Sequence, residues 1–310
     1  MNDLILHHYP ASPFAEKIRR LLAWKRLPWT SVTIPMVMPK PDVVALTGGY
    51  RRTPLLQIGA DIWCDTTLIC DVLEHRAAEP ALFPGRVRGL ARVLAQWADS
   101  ALFWASMAHS LSPAGAAQML AAAPPDVARQ FGPDRARMRE GMTRMRPADG
   151  TSAYRSYLRR LATMLDGQDF LLGDQPCAAD FAAYHPLWFT HTQTPVMAAL
   201  FEATPAIGAW MERIASAPDT QAGSLDAAQA LAVAHAARPA SVEGLVFQDD
   251  HGIALGTRVQ IAAESFGTEP SEGELVAATR THYTIRREDE RAGTVHVHFP
   301  RVGYVLRAAG

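Results

Sequence analysis

The apolar residues at the start of the chain change their spacing twice. Residues 4–9 (LILHHY) form a short apolar run typical of a strand, and residues 13–26 place apolar side chains at the spacing of one helix face. Residues 29–35 (WTSVTIP) return to the pattern of a strand. A strand, a helix and a strand in this order predict two parallel strands joined by a right-handed crossover.

The next segments predict two more strands and a helix. After a loop rich in Pro and Gly over 36–53, residues 54–59 (PLLQIG) and 62–65 (IWCD) are short apolar runs joined by a turn of Gly, Ala and Asp, which predicts a hairpin. Residues 66–76 then follow helical spacing. We therefore predict an α/β domain over residues 1–78.

Strand signals disappear between residues 85 and 222, where Ala, Leu, Met and Arg dominate. This pattern predicts an all-helical domain, with breaks at the APPD and RPADG segments. The predicted helices cover 87–109, 126–147, 151–166, 178–190 and 205–217. Residues 223–240 are predicted as a further helix that runs into a linker.

The pattern changes again at residue 241, where β-branched runs alternate with Gly and acidic turns. Four or five short strands of this kind predict a small antiparallel β module over residues 241–310. Such a module, attached to another domain, is typical of a dimer contact or a surface cover.

Three histidines stand out in the last two long runs of this module. Placing the apolar residues of both runs on one face pairs Tyr283 with Val297, which puts His282 opposite His298, with His296 on the same side. Such a face could bind a metal ion. A solvated polar face is the simpler interpretation, because no acidic or Cys ligand is evident beside the histidines, and we expect no metal site.

The overall composition excludes several partners. Hydrophobic residues make up 48% of the chain, charged residues 20%, and the net charge is −1, which does not favour nucleic acid or an anionic membrane. No apolar run approaches the roughly 18 residues that a membrane helix requires, and residues 1–9 do not have the pattern of a leader. We expect a cytoplasmic protein.

The cysteine pattern agrees with that expectation. The chain has three cysteines, Cys64, Cys70 and Cys177, with wide spacing and no CxxC pair. An odd, widely spaced set is typical of reduced thiols buried as small apolar residues.

The segment HHYPASPFAEKIRRLL carries the first candidate chemistry. The strand stops at a proline turn and continues directly as a helix, which places the hydroxyl of Ser12 beside a helix N-terminus. Such a position suits an anion, for example a thiolate or a carboxylate. The alternative role of Ser12 is that of a simple N-cap, followed by Pro13 at the first helical position.

Four motifs in this order resemble the cytosolic glutathione S-transferase superfamily, most closely its bacterial Ser/Cys-type members. The motifs are YPASPFAEKIRRLL, RRTPLL, CDTTLI and LLGDQPCAADFAAY, and the resemblance covers residues 1 to about 220. It implies a thioredoxin-like α/β N-terminal domain that binds glutathione, followed by an all-α C-terminal domain. The small all-β module is an addition to that pattern.

By the same resemblance, Ser12 occupies the position of the residue that activates the glutathione thiol. Tyr9 is a second hydroxyl near it, either a further donor or a wall of the pocket, and we rank it below Ser12. Phe14 belongs to the same Ser-Pro-Phe turn and is assigned to the glutathione site.

The RRTPLL segment implies contacts with the middle and the end of the tripeptide. Thr53-Pro54 matches a cis-proline dipeptide whose Thr53 backbone faces the cysteinyl part of glutathione; without the resemblance, Pro54 would be a trans residue that begins an edge strand. Arg52 is assigned to the glycyl carboxylate, with a solvated loop arginine as the alternative.

The CDTTLI segment implies the contacts with the other end. Asp65-Thr66 matches the acidic-hydroxyl pair at a helix start that holds the γ-glutamyl group, where the Thr66 hydroxyl and N–H bind the carboxylate. The alternative is that either residue only caps the helix.

One departure concerns the helical domain. The usual hydroxyl N-cap of its buried capping box is replaced by Cys177, so only Asp180 can reach back to the helix N-terminus. We expect a compensating contact at this point.

These inferences lead to two functions. The first is an enzyme that activates the glutathione thiolate, as co-substrate, for attack on a small hydrophobic electrophile, in a chain that forms a homodimer. Serine at position 12 argues against a mixed disulfide, because a hydroxyl cannot form one. The second is a glutathione-binding or non-catalytic scaffold protein of the same fold, whose C-terminal module recruits a partner.

Overall fold

The computed structural model describes residues 3–310. The helices are α1 (Pro13–Trp24), α2 (Pro41–Thr47), α3 (Thr66–Arg76), α4 (Arg88–Trp97), α5 (Phe103–Ser110), α6 (Pro113–Met119), α7 (Pro125–Met138), α8 (Pro147–Met164), α9 (Ala178–Gln193), α10 (Pro195–Ala198), α11 (Pro205–Ala215) and α12 (Ala227–Ala236). The strands are β1 (Leu4–His8), β2 (Trp29–Thr33), β3 (Leu55–Ile58), β4 (Asp61–Cys64), β5 (Gln221–Leu225), β6 (Arg258–Ala263), β7 (Ser271–Ala278), β8 (His282–Asp289), β9 (Gly293–Pro300) and β10 (Tyr304–Ala308).

The N-terminal strands form the sheet that the sequence predicts. β1 and β2 are parallel and joined by α1, while β3 is antiparallel to β1 and forms a hairpin with β4. β1 is buried along its whole length because helices cover both faces of the sheet. The α/β thioredoxin-like domain, the helical domain and the C-terminal β module are all confirmed in type.

The C-terminal module is not a separate body. In the described residues, all ten strands belong to one sheet, in the order β10-β6-β7-β8-β9-β4-β3-β1-β2-β5. The strands of the module pair antiparallel with one another, but β9 pairs parallel with β4. The module therefore covers the edge of the N-terminal sheet.

Two hydrophobic clusters hold these parts together. One lies between α1, α3 and the helices of the all-α region, and includes Leu22, Ile69 and Trp210. The other joins the opposite face of the N-terminal sheet to the module and α12, and includes Ile62 and Val297. Neither part of the sheet therefore has its own independent core.

Three predictions about the helices need correction. The loop over 36–53 contains α2, whose first helical residue is Pro41, so the Pro-rich composition concealed a helix start. The RPADG segment is not a break, because Pro147 opens α8 in the same way. The segment predicted as helix from residue 223 begins instead as the exposed edge strand β5, and α12 starts only at Ala227.

The predicted register of the last hairpin was wrong by two residues. Tyr283 pairs with Phe299 and not with Val297, and Thr284, not His282, lies opposite His298. A shift of two residues keeps every side chain on its face, so the hydrophobic pattern could not distinguish the two registers.

The missing hydroxyl at Cys177 is compensated as expected. One oxygen of Asp180 accepts from the Cys177 N–H at 2.9 Å, and the other accepts from the Leu171 N–H at 2.8 Å and from Nε1 of Trp210 at 2.9 Å. The buried carboxylate thus ties the start of α9 to α11 and to the preceding loop. All three cysteines are buried and unpaired, as predicted.

Candidate functional site

A cavity of about 460 Å³ lies where the thioredoxin-like domain meets the helices, within the range of small-molecule sites. One wall comes from the turns after β1 and before β3 and from the start of α3, and the second comes from α4, α5 and α7. The third comes from two loops of the C-terminal module. Every site residue predicted from the sequence lines this cavity.

Ser12 is the N-cap of α1. Its Oγ accepts a hydrogen bond from the Ala15 N–H at 3.2 Å, which leaves the hydroxyl proton free for another partner. Pro13 occupies the first helical position, so the chain enters the helix with φ already suited to it. Ser12 therefore combines the capping role with a position on the cavity wall, and the two alternatives are compatible.

The neighbours of Ser12 shape the cavity. Tyr9 is half-buried, and its hydroxyl accepts a hydrogen bond from Nη2 of Arg135 at 3.4 Å. Phe14 packs on Phe103 and on His185, with ring centroids 4.8 and 4.4 Å apart. Both residues are thus held against the helical region, which supports the interpretation of Tyr9 as a wall.

The Thr53-Pro54 peptide bond is cis, as predicted. Next to it, Nζ of Lys40 donates to Oγ1 of Thr53 at 3.3 Å and to the carbonyl of Arg51 at 3.2 Å. Lys40 is only 3% exposed. Burial lowers its pKa to about 7, and the nearby cations of Arg135 and Arg51 add to the shift.

Arg52 turns toward the C-terminal module. Its Nε donates to the carbonyl of Phe266 at 2.7 Å, and its Nη2 donates to the carbonyl of Ser265. Its Nη1 lies 3.8 Å from Oδ2 of Asp65. Three of its nitrogens are therefore directed at protein groups.

Asp65 is the N-cap of α3, in an unusual backbone conformation. Its φ of 72° lies in the left-handed region, which non-glycine residues rarely adopt and which is concentrated at functional sites. Oδ1 accepts from the Thr67 N–H at 2.9 Å, and Oδ2 accepts from the hydroxyl of Tyr304 at 3.0 Å.

Thr66 contacts a buried charge network below the cavity. Nζ of Lys17 donates to Oγ1 of Thr66 at 3.1 Å and to Oδ2 of Asp99 at 2.6 Å, while Nε2 of His185 donates to the other oxygen of Asp99 at 2.9 Å. Burial alone would raise the pKa of Asp99, but the Lys17 ammonium and the His185 hydrogen bond lower it below its usual value. The network places a cation beside the helix start at Thr66.

The part of the cavity that faces the helical region is apolar. Its wall consists mainly of aromatic and methionine side chains from α5, α6, α7 and α9, among them Phe103, Trp104, Met107, Met119, Phe131 and Phe189. Phe266 of the module packs edge-to-face on Trp104, with centroids 5.1 Å apart. The polar and apolar halves meet at Ser12.

Sequence reasoning missed three residues of the site. Lys40 lies between two prolines in the segment predicted as a loop, Lys17 lies within the helix predicted over residues 13–26, and Tyr304 lies in the module. The only local signal was a lone lysine in a proline turn. The contact of Tyr304 with Asp65 joins two residues that are 239 positions apart in the sequence.

The histidines of the module lie away from the cavity and are not on a solvated face. His298 is 4% exposed; its Nε2 donates to Asp61 at 2.9 Å, and its Nδ1 accepts from the Thr284 hydroxyl at 2.9 Å. Trp63 stacks on its ring at 3.7 Å. Across residues 3–310, no group of three or more His, Cys, Asp or Glu side chains is arranged to hold a metal ion.

His7 and His8 are also satisfied within the fold. Nε2 of His7 donates to Oε1 of Gln57 at 2.7 Å, and Nε2 of His8 donates to Oγ of Ser31 at 2.8 Å. Burial lowers the pKa of both rings to about 4. Both rings therefore have a structural role within the sheet.

Comparison with known proteins is consistent with this geometry. The sequence profile of the glutathione S-transferase N-terminal domain matches residues 6–81, and that of the glutathione S-transferase C-terminal domain matches residues 149–218. The curated protein FtsZ-localized protein A of Caulobacter vibrioides is 27% identical over 184 residues, which are 57% of this chain and 73% of that protein. In the part of the chain that the structure describes, no helix is both long and apolar enough to span a membrane.

Two solved structures define the likeness further. A glutathione S-transferase from Rhodospirillum rubrum F11 is 22% identical, and the match covers 70% of this chain and 90% of that protein's chain. Its TM-score of 0.52 shows that the two proteins share a fold. A GST-like protein from Pseudomonas syringae is 40% identical and matches 100% of both chains, including the module, with a TM-score of 0.78. The chain therefore belongs to the glutathione S-transferase superfamily, in a form that carries a C-terminal β module.

Proposed function

We propose that the protein is a glutathione-dependent transferase that activates the thiolate of glutathione for attack on a small apolar electrophile. The observation that carries this proposal is the place of Ser12. Its hydroxyl lies at the N-terminus of α1, on the boundary between a charged half and an apolar half of one cavity.

The charged half suits a peptide with two carboxylates and one ammonium group. We assign the ammonium of the γ-glutamyl group to Asp65 and its carboxylate to Thr66, next to Lys17. The Thr53 backbone beside the cis bond is assigned to the cysteinyl part. These assignments bring the thiol toward Ser12.

We assign the glycyl carboxylate to Lys40 in place of Arg52. The ammonium of Lys40 is buried, and among residues 3–310 its direct hydrogen-bond partners are one carbonyl and one hydroxyl, whereas Arg52 already donates to two carbonyls of the module. A buried cation without a carboxylate in contact gains more from an added anion than a cation that is already paired.

Ser12 would act by stabilising the thiolate. A thiol with a pKa of about 8.5 is only partly ionised at neutral pH, and a hydroxyl donor at a helix N-terminus lowers that value. The sulfur then forms a bond to the electrophilic carbon, and the leaving group departs with the electron pair of the bond that breaks. Ser12 keeps its proton throughout and only donates a hydrogen bond.

The test is calorimetric titration of glutathione into the wild type and Ser12→Ala, with turnover of a chlorodinitrobenzene measured in parallel. We expect both proteins to bind glutathione within about threefold of each other and kcat/KM to fall at least about a hundredfold in Ser12→Ala, because a group that stabilises the reacting charge contributes on this scale. Equal turnover would contradict the role of Ser12.

The chain offers a matched control in Ser112→Ala. Ser112 caps α6 with the same geometry, a 3.2 Å hydrogen bond from the N–H three residues later and a proline at the first helical position, but it does not line the cavity. A loss of activity in this variant would indicate that loss of an N-cap, and not of the active hydroxyl, explains the result.

The second candidate is a glutathione-binding protein without turnover. It is supported by the similarity to FtsZ-localized protein A, a protein named for its location and not for a reaction. In this case glutathione would bind, no electrophile would be consumed, and the C-terminal module would contact a protein partner. The turnover assay separates the two functions.

A further inference from the structure

The C-terminal module contributes directly to the cavity. Its loop after β6 reaches the wall with Ser265 and Phe266, its turn before β10 with Gly303, and β10 itself with Tyr304. Gly267 N–H donates to the carbonyl of Met138 at 2.7 Å, which joins this loop to the end of α7. The module therefore contacts both domains at the cavity.

Tyr304 is a module residue whose side chain contacts Asp65 in the charged half of the site. Its ring is 5% exposed and packs with Phe299 and Tyr50, and its hydroxyl lies 3.0 Å from Oδ2 of Asp65 and 3.4 Å from the hydroxyl of Tyr50. A carboxylate can only accept, and Tyr304 has one hydroxyl proton, so this proton is donated to Asp65 and Tyr50 donates to Tyr304.

This contact completes the support of the Asp65 carboxylate. The other oxygen accepts from the Thr67 N–H, so each oxygen has one donor that fixes its position. The backbone of Asp65 is in the left-handed region, where local geometry does not hold a residue without help from its surroundings. Burial raises the pKa of Tyr304 well above its usual value, so the hydroxyl remains a donor at any working pH.

We propose that Tyr304 is a positioning residue that holds the Asp65 carboxylate against the ammonium group of the γ-glutamyl end of glutathione. The inference rests on the proposed function, since it assumes that glutathione binds in this cavity. It makes the module a functional part of the binding site, because residue 304 lies in its last strand.

The test is calorimetric titration of the full-length wild type and Tyr304→Phe with two ligands. The first is glutathione, and the second is glutaryl-cysteinyl-glycine, which lacks only the amino group. We expect Tyr304→Phe to bind glutathione about tenfold more weakly, the scale of one hydrogen bond to a charged group, and to bind the amino-free ligand as the wild type does.

The matched control is Tyr283→Phe. Tyr283 is buried in β8 of the same module but does not line the cavity. We therefore expect removal of its hydroxyl to leave the affinities for glutathione and for the amino-free ligand unchanged. Thermal unfolding of both variants shows whether each has kept the fold.

Each of the other possible results of the titrations leads to a different conclusion. If Tyr304→Phe weakens both ligands equally, Tyr304 acts only on the shape of the site and the positioning role is refuted. If the wild type binds glutathione and Tyr304→Phe binds it equally well, the inference fails while the proposed function stands. If the wild type binds neither ligand at millimolar concentration, both fail together.

Discussion

The carboxylate of Asp61, on β4, accepts a hydrogen bond from Nε2 of His298, on β9, over 2.9 Å. The other carboxylate oxygen accepts from the Ala240 N–H at 2.8 Å. One acidic side chain thus links the N-terminal sheet to the module strand and to the segment that leads into the module.

Removing this carboxylate should weaken the whole fold. Asp61→Ala leaves the N–H groups of His298 and Ala240 without a partner in a buried place, and we expect the free energy of unfolding to fall by about 2 kcal/mol. Denaturant unfolding measures this loss. Asp71→Ala, which breaks a surface pair with Arg92, is the control and should cost less than about 1 kcal/mol. An equal loss in both variants would refute the special role of Asp61.

Lys40 should make glutathione binding dependent on pH. Its pKa is lowered to about 7, so the ammonium that attracts the glycyl carboxylate is present below that pH and is lost above it. With S-methylglutathione, whose sulfur cannot ionise, wild-type affinity should fall as the pH rises through 7. Lys40→Gln should bind more weakly below pH 7 and show a flatter profile.

The variant Arg52→Gln tests whether Lys40 or Arg52 binds the glycyl carboxylate. If Arg52 binds the glycyl carboxylate, as the family resemblance implies, Arg52→Gln loses affinity at every pH. The Lys40→Gln protein then binds the ligand as the wild type does. We expect the pH dependence to remain in Arg52→Gln.

The buried histidines should make the protein less stable in acid. The pKa of His7 is lowered to about 4 in the fold, while the unfolded chain has the usual value of 6.5, so the unfolded state binds more protons between these limits. Stability is therefore fully present above about pH 6.5 and falls as the pH drops toward 4. For His7 the free energy of unfolding should decrease by about 2 kcal/mol between about pH 7.5 and pH 5.

The His7 contribution is tested with His7→Gln. Whatever its stability at neutral pH, this variant should lose about 2 kcal/mol less than the wild type on acidification. His75→Gln, a change at an exposed histidine of α3, should keep the wild-type slope. Parallel pH profiles in all three proteins would contradict the prediction.

The three thiols should be inert in the folded protein. Burial raises the pKa of Cys70 and of Cys177 to about 12 and that of Cys64 well above its usual value. A disulfide reagent should therefore react with them only as fast as the chain unfolds, and with all three in denaturant. Rapid reaction of one thiol in the native protein would contradict this expectation.

The expected homodimer has a candidate surface on α4. Leu90 and Val93 are 50% and 64% exposed and lie on one side of the helix. We expect light scattering to give the mass of two chains for the wild type and of one chain for Val93→Lys. The control Val246→Lys changes a residue that is 82% exposed in the segment after α12 and should not alter the mass.

The parts of the fold that could be predicted from the sequence are those whose pattern lies in neighbouring residues. The spacing of apolar residues identified β1, α1 and the long helices, and the Ser12-Pro13 and Asp65-Thr66 pairs marked two helix starts. The contacts that were missed depend on long-range pairing. No local pattern in β4 indicates that its edge pairs with β9, and the place of Tyr304 at Asp65 follows from that pairing.

Two errors have the same physical origin. Alternation with a period of two fixes the face of a strand but allows a shift of two residues, which is the error made in the β8–β9 hairpin. The exposed strand β5 has little apolar content, so only its pairing with β2 defines it. In both cases the missing information lies in the partner strand.

The parallel pairing of β9 with β4 also bears on how shortened forms of the chain should be interpreted. A chain that stops at residue 240 would leave unpaired the N–H and C=O groups on the edge of β4 that now faces β9, although β4 would still pair with β3. It would also expose apolar residues such as Ile62 that the module now covers. Such an edge promotes pairing with other chains and aggregation. Inactivity of that fragment would therefore measure damage to the sheet, and only single substitutions within the module can measure its part in binding.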